Sequence, residues 1–353
     1  RLSFRIGLAS LGSLWRDDGM PRPGILFAAL WLALAVRLSA TPWSTATSDL
    51  PPDPSVRWGV LPNGLRYGIM PNHEPKGRVS LRLLVSAGSL HERDDERGLA
   101  HFIEHMAFRG TTAYPRGALV PALEHAGIAL GPDNTAFTTP RYTIYHLELP
   151  DAHEQMMRLG LGVFYEYASN ITFDPDLIEL ERGVVLNEKA IRDTPEARIG
   201  EANQAFLWPD TRLVHRAPIG LEDAVRHFTR DQFVAFYNAW YRPERLAVIV
   251  VGDVEPDAAA RLITEIFTPL QARGPAREEP ADLSPAKAGP VNIAVFSDPT
   301  WTGMNFALEH PLPQPQPNDT HERRVLGLHR ALSFAILQKR LEAETHQAVG
   351  NFV

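Results

Sequence analysis

Two histidines and one glutamate are crowded into residues 98–108, a segment whose composition predicts a helix. His101, Glu104 and His105 stand three and four positions apart, and side chains with that spacing share one face of a helix. Two neutral imidazoles in this arrangement can hold a zinc ion, and with one more protein ligand the ion keeps an open position for a water whose pKa falls to roughly 7. The glutamate between them is then placed to act as a general base.

The order His-x-x-Glu-His is the inverse of the more common His-Glu-x-x-His pattern, and it is the signature of the inverzincins. A helix that happens to carry two histidines on one polar or half-buried face matches the same five residues. The motif alone therefore leaves both interpretations open, and the surrounding sequence has to decide between them.

A third zinc ligand is the next requirement, and the absence of cysteine from the chain leaves a carboxylate or another histidine to supply it. The best donor segment is residues 180–188, which contains Glu181 and Glu188. These two lie seven residues apart, so on a helix they share a face but are separated by roughly 10 Å along the axis. Both cannot bind one ion, and the spacing does not say which of them does.

Four segments in the same order resemble the pitrilysin/insulinase family of zinc peptidases: residues 61–67, 98–108, 181–188, and 240–243 followed by 248–253. The resemblance covers about residues 56 to 270 well and the remainder thinly. It implies one zinc ion held by His101, His105 and Glu188, with Glu104 as the general base. It also implies that Glu181 is a carboxylate outside the ligand set, which orients a ligand and tunes its basicity.

The resemblance further implies a substrate-binding strand at residues 131–138, at the edge of a sheet beside the zinc ion. An extended substrate would add to this strand through main-chain hydrogen bonds, which predicts substrate contacts at Asn134, Ala136 and Phe137. The family usually has asparagine directly before the alanine, whereas Thr135 stands between them here. That departure puts the role of Asn134 in doubt.

Hydrophobic periodicity predicts an α+β fold, with a mostly antiparallel sheet packed against helices. Strands are predicted near 56–61, 65–70, 79–85, 130–138, 142–149 and 246–251, and helices near 96–108, 117–126, 152–206, 230–240 and 256–267. We assign residues 56–270 to the peptidase domain and the Pro- and charge-rich residues 271–290 to a linker. Residues 291–353, with a strand near 291–296 and a helix near 321–345, are interpreted as the incomplete start of a second, similar domain.

The amino end carries a basic start and an apolar stretch of about twelve residues, which is too short for a membrane span of about 20 residues. We interpret residues 20–40 as a signal peptide, residues 1–19 as an upstream translated segment and residues 41–55 as a flexible extension. These features predict export to the periplasm or the extracellular space, with no membrane span in the mature chain. The net charge of -7 and the lack of a basic, aromatic-rich run argue against a nucleic acid partner.

The predicted function is a zinc-dependent endopeptidase that hydrolyses peptides or unfolded polypeptides. The family resemblance implies that a second half, from the same longer chain or from a partner subunit, closes the chamber around the substrate. A noncatalytic partner subunit or a peptide-binding module on the same fold is the alternative, since fold does not fix function. Retention of His101, Glu104, His105 and Glu188 argues against that alternative.

Overall fold

The computed structural model describes residues 48–209, 211–280, 292–304, 307, 309 and 319–347. Their centre is a six-stranded sheet, and four of its five strand pairings are antiparallel. The predicted signal peptide and the segment before it lie outside the described residues. The strands are β1 (Arg57–Val60), β2 (Arg66–Pro71), β3 (Val79–Val85), β4 (Asn134–Thr138), β5 (Thr143–Leu149) and β6 (Leu246–Gly252).

Helices account for most of the remaining regular structure in this part of the chain. The first two follow β3, the next five separate β5 from β6, and the last two follow β6. They are α1 (Leu99–Arg109), α2 (Leu119–His125), α3 (Glu154–Ser169), α4 (Pro175–Arg192), α5 (Pro195–Leu207), α6 (Glu222–His227), α7 (Arg230–Trp240), α8 (Pro256–Phe267) and α9 (His321–Gln347). Among the described residues, no helix has both the length and the apolar character that crossing a membrane requires.

The sheet has the strand order β1-β2-β6-β3-β5-β4, so β4 forms one edge. Buried and half-buried residues alternate along the whole of β3 and β5, as expected when one face of a sheet packs against helices. The covered face contacts α1, α3 and α8. β6 is central and pairs with β2 in parallel and with β3 in the antiparallel sense, which explains its nearly continuous apolar sequence.

The α+β fold and its mostly antiparallel sheet are therefore confirmed. The predictions for β3, α7 and α8 agree with the structure to the residue, whereas β4 begins four residues later than predicted. α1 begins at Leu99 rather than near residue 96, because residues 94–96 form a separate 3-10 turn and Gly98 has a φ of 104°. A residue in the left-handed region cannot continue a right-handed helix.

The predicted strand near residues 291–296 was wrong for the residues that are described. Residues 292–296 form neither strand nor helix, and Ile293 and Val295 are 88% and 89% exposed. A β-strand is stable only when another strand satisfies its main-chain groups, and the described chain offers it no such neighbour. The helix predicted near 321–345 is present as α9.

Residues 271–280, the described part of the predicted linker, contact the domain. Arg273 donates to two main-chain carbonyls at 3.0 and 3.1 Å. Arg277 forms two hydrogen bonds, at 2.7 and 3.0 Å, with the fully buried carboxylate of Glu96. Arg273 thus attaches this segment to the end of α3 and to Tyr241, and Arg277 attaches it just ahead of α1.

Two glycines meet where α1 begins, and this contact yields a stability prediction. Gly220 has a φ of 72°, and a Cβ there would lie 2.3 Å from the Cα of Gly98. We expect Gly220→Ala to lower the free energy of unfolding by about 3 kcal/mol, since both the clash and the left-handed backbone oppose a side chain. Urea denaturation measures the change. Gly162→Ala is the control, because that position in α3 has open space; an equal loss there would contradict the explanation.

Candidate active site

α1 carries the histidines on a helix that is buried on nearly all sides. Its apolar residues pack into the core, where Phe102 makes an edge-to-face contact with Phe233 at 4.9 Å between ring centroids. The start of the helix is held by the buried carboxylate of Glu92, which accepts hydrogen bonds from the N–H groups of Gly98 and Ala100 at 3.0 and 2.9 Å. These two bonds satisfy donors that the first turn of a helix leaves without an intrahelical partner. This anchor holds the first turn of the helix in place.

α4 supplies the two candidate carboxylates. The helix begins after Asp174, whose side chain accepts from the N–H of Asp176, and Pro175 occupies its first turn, a favourable start for a helix. Buried Ile178 and Val185 lie on the face that packs inward. Glu181 and Glu188 follow these residues by three positions each, so they share that face, and contacts between α1 and α4 bring it to the histidines.

Three ligand atoms converge on one small volume. The Nε2 atoms of His101 and His105 are 3.2 Å apart, and the Oε2 atom of Glu188 lies 3.6 and 3.3 Å from them. Ligand atoms arranged tetrahedrally around zinc at about 2.0 Å are separated by about 3.3 Å. The donor set and its spacing therefore fit a zinc ion with a fourth position open, and these residues are a group that can hold a metal.

Glu181 contacts the site differently from Glu188. Its Oε1 atom lies 2.8 Å from Nδ1 of His105, and its other oxygen accepts from Arg109. Because a carboxylate only accepts, Nδ1 carries the proton and Nε2 is left free to bind metal. The structure thus distinguishes the two glutamates. Glu188 lies at the Nε2 atoms of both histidines, whereas Glu181 contacts the other ring nitrogen of His105. The second oxygen of Glu188 is engaged by Arg192 at 2.5 Å.

The protonation of the two histidines follows from their surroundings. Burial, together with the neighbouring His105 and Arg192, lowers the pKa of His101 to about 3, so His101 is neutral at pH 7. Burial opposes charge on His105 as well, but its hydrogen bond to Glu181 and the nearby carboxylates raise its pKa. A neutral imidazole is the form that binds metal, and in that form the proton of His105 stays on Nδ1 against Glu181, so protonation of Nε2 opposes metal binding.

Glu104 lies between the two histidines in the sequence of α1, and it is only 6% exposed. Burial raises the pKa of its carboxyl group to about 7, although a hydrogen bond from Thr138 partly opposes the increase. A carboxylate with a pKa near the working pH is suited to take and return a proton.

The three predicted substrate-binding residues all lie on β4, the edge strand, and α1 contacts this strand. The side chain of Asn134 is buried, Ala136 is half-buried and Phe137 is 48% exposed. The main chain of Asn134 is also engaged within the chain, because its N–H donates to the carbonyl of Ala129 at 3.1 Å and its carbonyl accepts from the N–H of Gly131 at 3.0 Å. Their part in substrate binding stays a prediction.

Sequence reasoning missed four residues that support the site: Glu92, Arg109, Thr138 and Arg192. Two of them had a usable signal. Arg109 follows His105 by four residues and Arg192 follows Glu188 by four, the spacing at which helix neighbours touch. The other two reach the site from separate elements, and no local spacing indicates their contacts.

Two family models match the chain in succession. Residues 68–209 match the insulinase family, peptidase family M16, and residues 227–326 match the M16 inactive domain. The first match contains all three candidate zinc ligands and Glu104. Together with the fold and the geometry of the metal site, these matches show that the chain belongs to peptidase family M16.

Among individual proteins, the chain is similar to zinc proteases named PqqL. It is 40% identical over 218 residues to the probable zinc protease PqqL of Haemophilus influenzae, and 35% identical over 279 residues to that of Escherichia coli. These matches cover 62% and 79% of this chain but only 24% and 30% of the relatives. The chain thus spans less than a third of their length.

The chain is also similar to a solved structure of a PqqL protease. The first half of the periplasmic protease PqqL from Escherichia coli superimposes with a TM-score of 0.63 at 37% identity. The match covers 65% of this chain and 49% of that one.

Proposed function

We propose that this chain is the zinc-holding part of a metalloendopeptidase that hydrolyses peptides or unfolded polypeptides. The observation that carries the proposal is the convergence of His101, His105 and Glu188 at the separations a tetrahedral zinc ion requires, with Glu104 on the same helix. Membership of the M16 family and similarity to zinc proteases support it.

In this proposal, His101, His105 and Glu188 hold the ion. Bound zinc supplies Lewis acidity at the scissile carbonyl and makes water a usable nucleophile near neutral pH. Glu104 accepts the proton from the attacking water and returns it to the leaving amine. Glu181 keeps His105 in the tautomer that leaves Nε2 free, through its contact with Nδ1.

The substrate would bind as an extended strand along β4. That edge is paired on one side only among the described strands, and main-chain pairing there would be largely indifferent to the substrate sequence. Ala136 and Phe137 would contact the substrate, whereas Asn134, whose side chain is buried and whose main chain pairs with Ala129 and Gly131, would hold the start of the strand in place.

We further propose that additional chain, in the same polypeptide or in a partner subunit, closes the chamber over this site. The support is the small fraction of the relatives that the chain spans.

We also propose that the protein is exported to the periplasm or the extracellular space, based on residues 20–40 and on the periplasmic relative. Cell fractionation of the expressed full gene tests the location.

The test of function is cleavage of an unstructured quenched-peptide library by the full-length gene product. We expect cleavage that is lost on chelation, restored by zinc and absent from the Glu104→Gln variant. Failure to cleave any peptide with one zinc bound per chain would instead favour the noncatalytic role, as a partner subunit or peptide-binding module.

A further inference from the structure

The Glu104 carboxylate has a hydrogen-bond partner on a different element of the fold. The hydroxyl of Thr138 donates to its Oε2 atom at 2.6 Å. This contact joins the last residue of β4 to the middle of α1. Within the described part of the chain, it is the one hydrogen bond found for this carboxylate, so it restricts the rotation of a side chain that otherwise has freedom about three bonds.

The Thr138 hydroxyl is itself held in place. Thr138 pairs with Thr143 across the β4–β5 ladder, and the two hydroxyl oxygens are 3.3 Å apart. Thr143 is 1% exposed and donates to the carbonyl of Ala87 at 3.1 Å. Because a β-branched side chain has few χ1 rotamers, the neighbouring strand fixes the direction in which Thr138 points its hydroxyl.

We propose that Thr138 is a positioning residue, which holds the Glu104 carboxylate in the orientation that proton transfer requires. One carboxylate oxygen is engaged by the threonine, and the other stays free for the proton of the attacking water. The inference rests on the proposed function, in which Glu104 is the base. It also means that the strand proposed to bind the substrate orients the base, so substrate and base share one rigid support.

The test compares three variants of the full-length gene product: Thr138→Val, Thr138→Ser and Thr264→Val. Valine keeps the shape of threonine without the hydroxyl, and serine keeps the hydroxyl. Thr264 is the matched control, because its hydroxyl also donates a hydrogen bond, to Ala260 at 2.7 Å, but lies on α8.

For Thr138→Val, we expect kcat to fall about 10-fold to 100-fold, since a misplaced catalytic group loses rate on this scale. KM should stay within about twofold of the parent value, because a group that acts only in the transition state leaves ground-state binding unchanged. Zinc content should remain one per chain. Thr138→Ser should recover kcat to within about threefold of the parent, and Thr264→Val should match the parent.

Two kinetic results would overturn the inference. The first is an unchanged kcat in Thr138→Val, and the second is a serine variant as slow as the valine variant, which would assign the effect to packing rather than to the hydroxyl. Should the valine variant fail to fold, as judged by thermal unfolding, Thr138→Ala replaces it with the same expectations.

A second readout separates this inference from the proposed function. If the parent protein cleaves no peptide, crystal structures of its zinc-loaded form and of zinc-loaded Thr138→Val still report the position of Glu104. We expect a new carboxylate rotamer in the valine variant and none in Thr264→Val. An unmoved Glu104 carboxylate would refute a positioning role for Thr138.

Discussion

Replacing Glu104 with glutamine is expected to abolish most peptide hydrolysis while leaving zinc bound. Glutamine has nearly the same shape as glutamate but cannot accept the proton of the attacking water. The loss in kcat should be at least about 10²-fold, the lower end of what general base catalysis contributes. Turnover of a quenched peptide and zinc content per chain, measured on the same sample, check both parts.

Two comparisons make the Glu104→Gln result specific. Glu124→Gln applies the same change to an exposed glutamate on α2 and should leave turnover and zinc content unchanged. His105→Ala should lose the metal itself, since it removes one of three ligand atoms. Full activity in Glu104→Gln would show that another group takes the proton, and the role assigned to Glu104 would be abandoned.

The second large effect is expected at the third ligand, where Glu188→Gln should weaken zinc binding far more than Glu181→Gln. Glu188 points Oε2 at both Nε2 atoms, whereas Glu181 reaches only Nδ1 of His105. Loss of a contact behind a ligand typically costs about 10-fold to 100-fold in metal affinity, and loss of a ligand should exceed that. Competition with a fluorescent zinc chelator measures both affinities.

Thermal unfolding without metal gives an independent check on the two glutamates. Glu181 is 2% exposed and is held by His105 and Arg109, so Glu181→Gln should lower the melting temperature of the metal-free protein. The Glu188 side chain is 25% exposed, and its replacement should have less effect on that melting temperature. If zinc affinity fell more in Glu181→Gln than in Glu188→Gln, the ligand would have been placed two helical turns too late.

Much of the fold was predictable because its signals are local. The alternation of β3 predicted its bounds to the residue, since a strand with one buried face has a period of two. The bounds of α8 were predicted equally well, because the helix starts with a proline and has a regular apolar face. Residues 292–296 were predicted wrongly because an apolar, strand-like composition cannot supply the neighbouring strand that pairing requires.

The sequence by itself determined which residues are candidates for the metal site. His101, Glu104 and His105 lie within one helix, and the spacing of residues along a helix fixes which side chains share a face. The same reasoning placed Glu181 and Glu188 on a common face of α4, and the lack of cysteine excluded thiolate ligands.

Only the tertiary structure decided the geometry between elements. The packing of α1 against α4 places Glu188, rather than Glu181, at both Nε2 atoms. The position of β4 at the sheet edge brings Thr138 to Glu104. The segment after α8 packs against the domain and brings Arg277 to Glu96. These contacts join residues that are far apart in the chain, and they depend on how whole faces pack together, which no local spacing encodes.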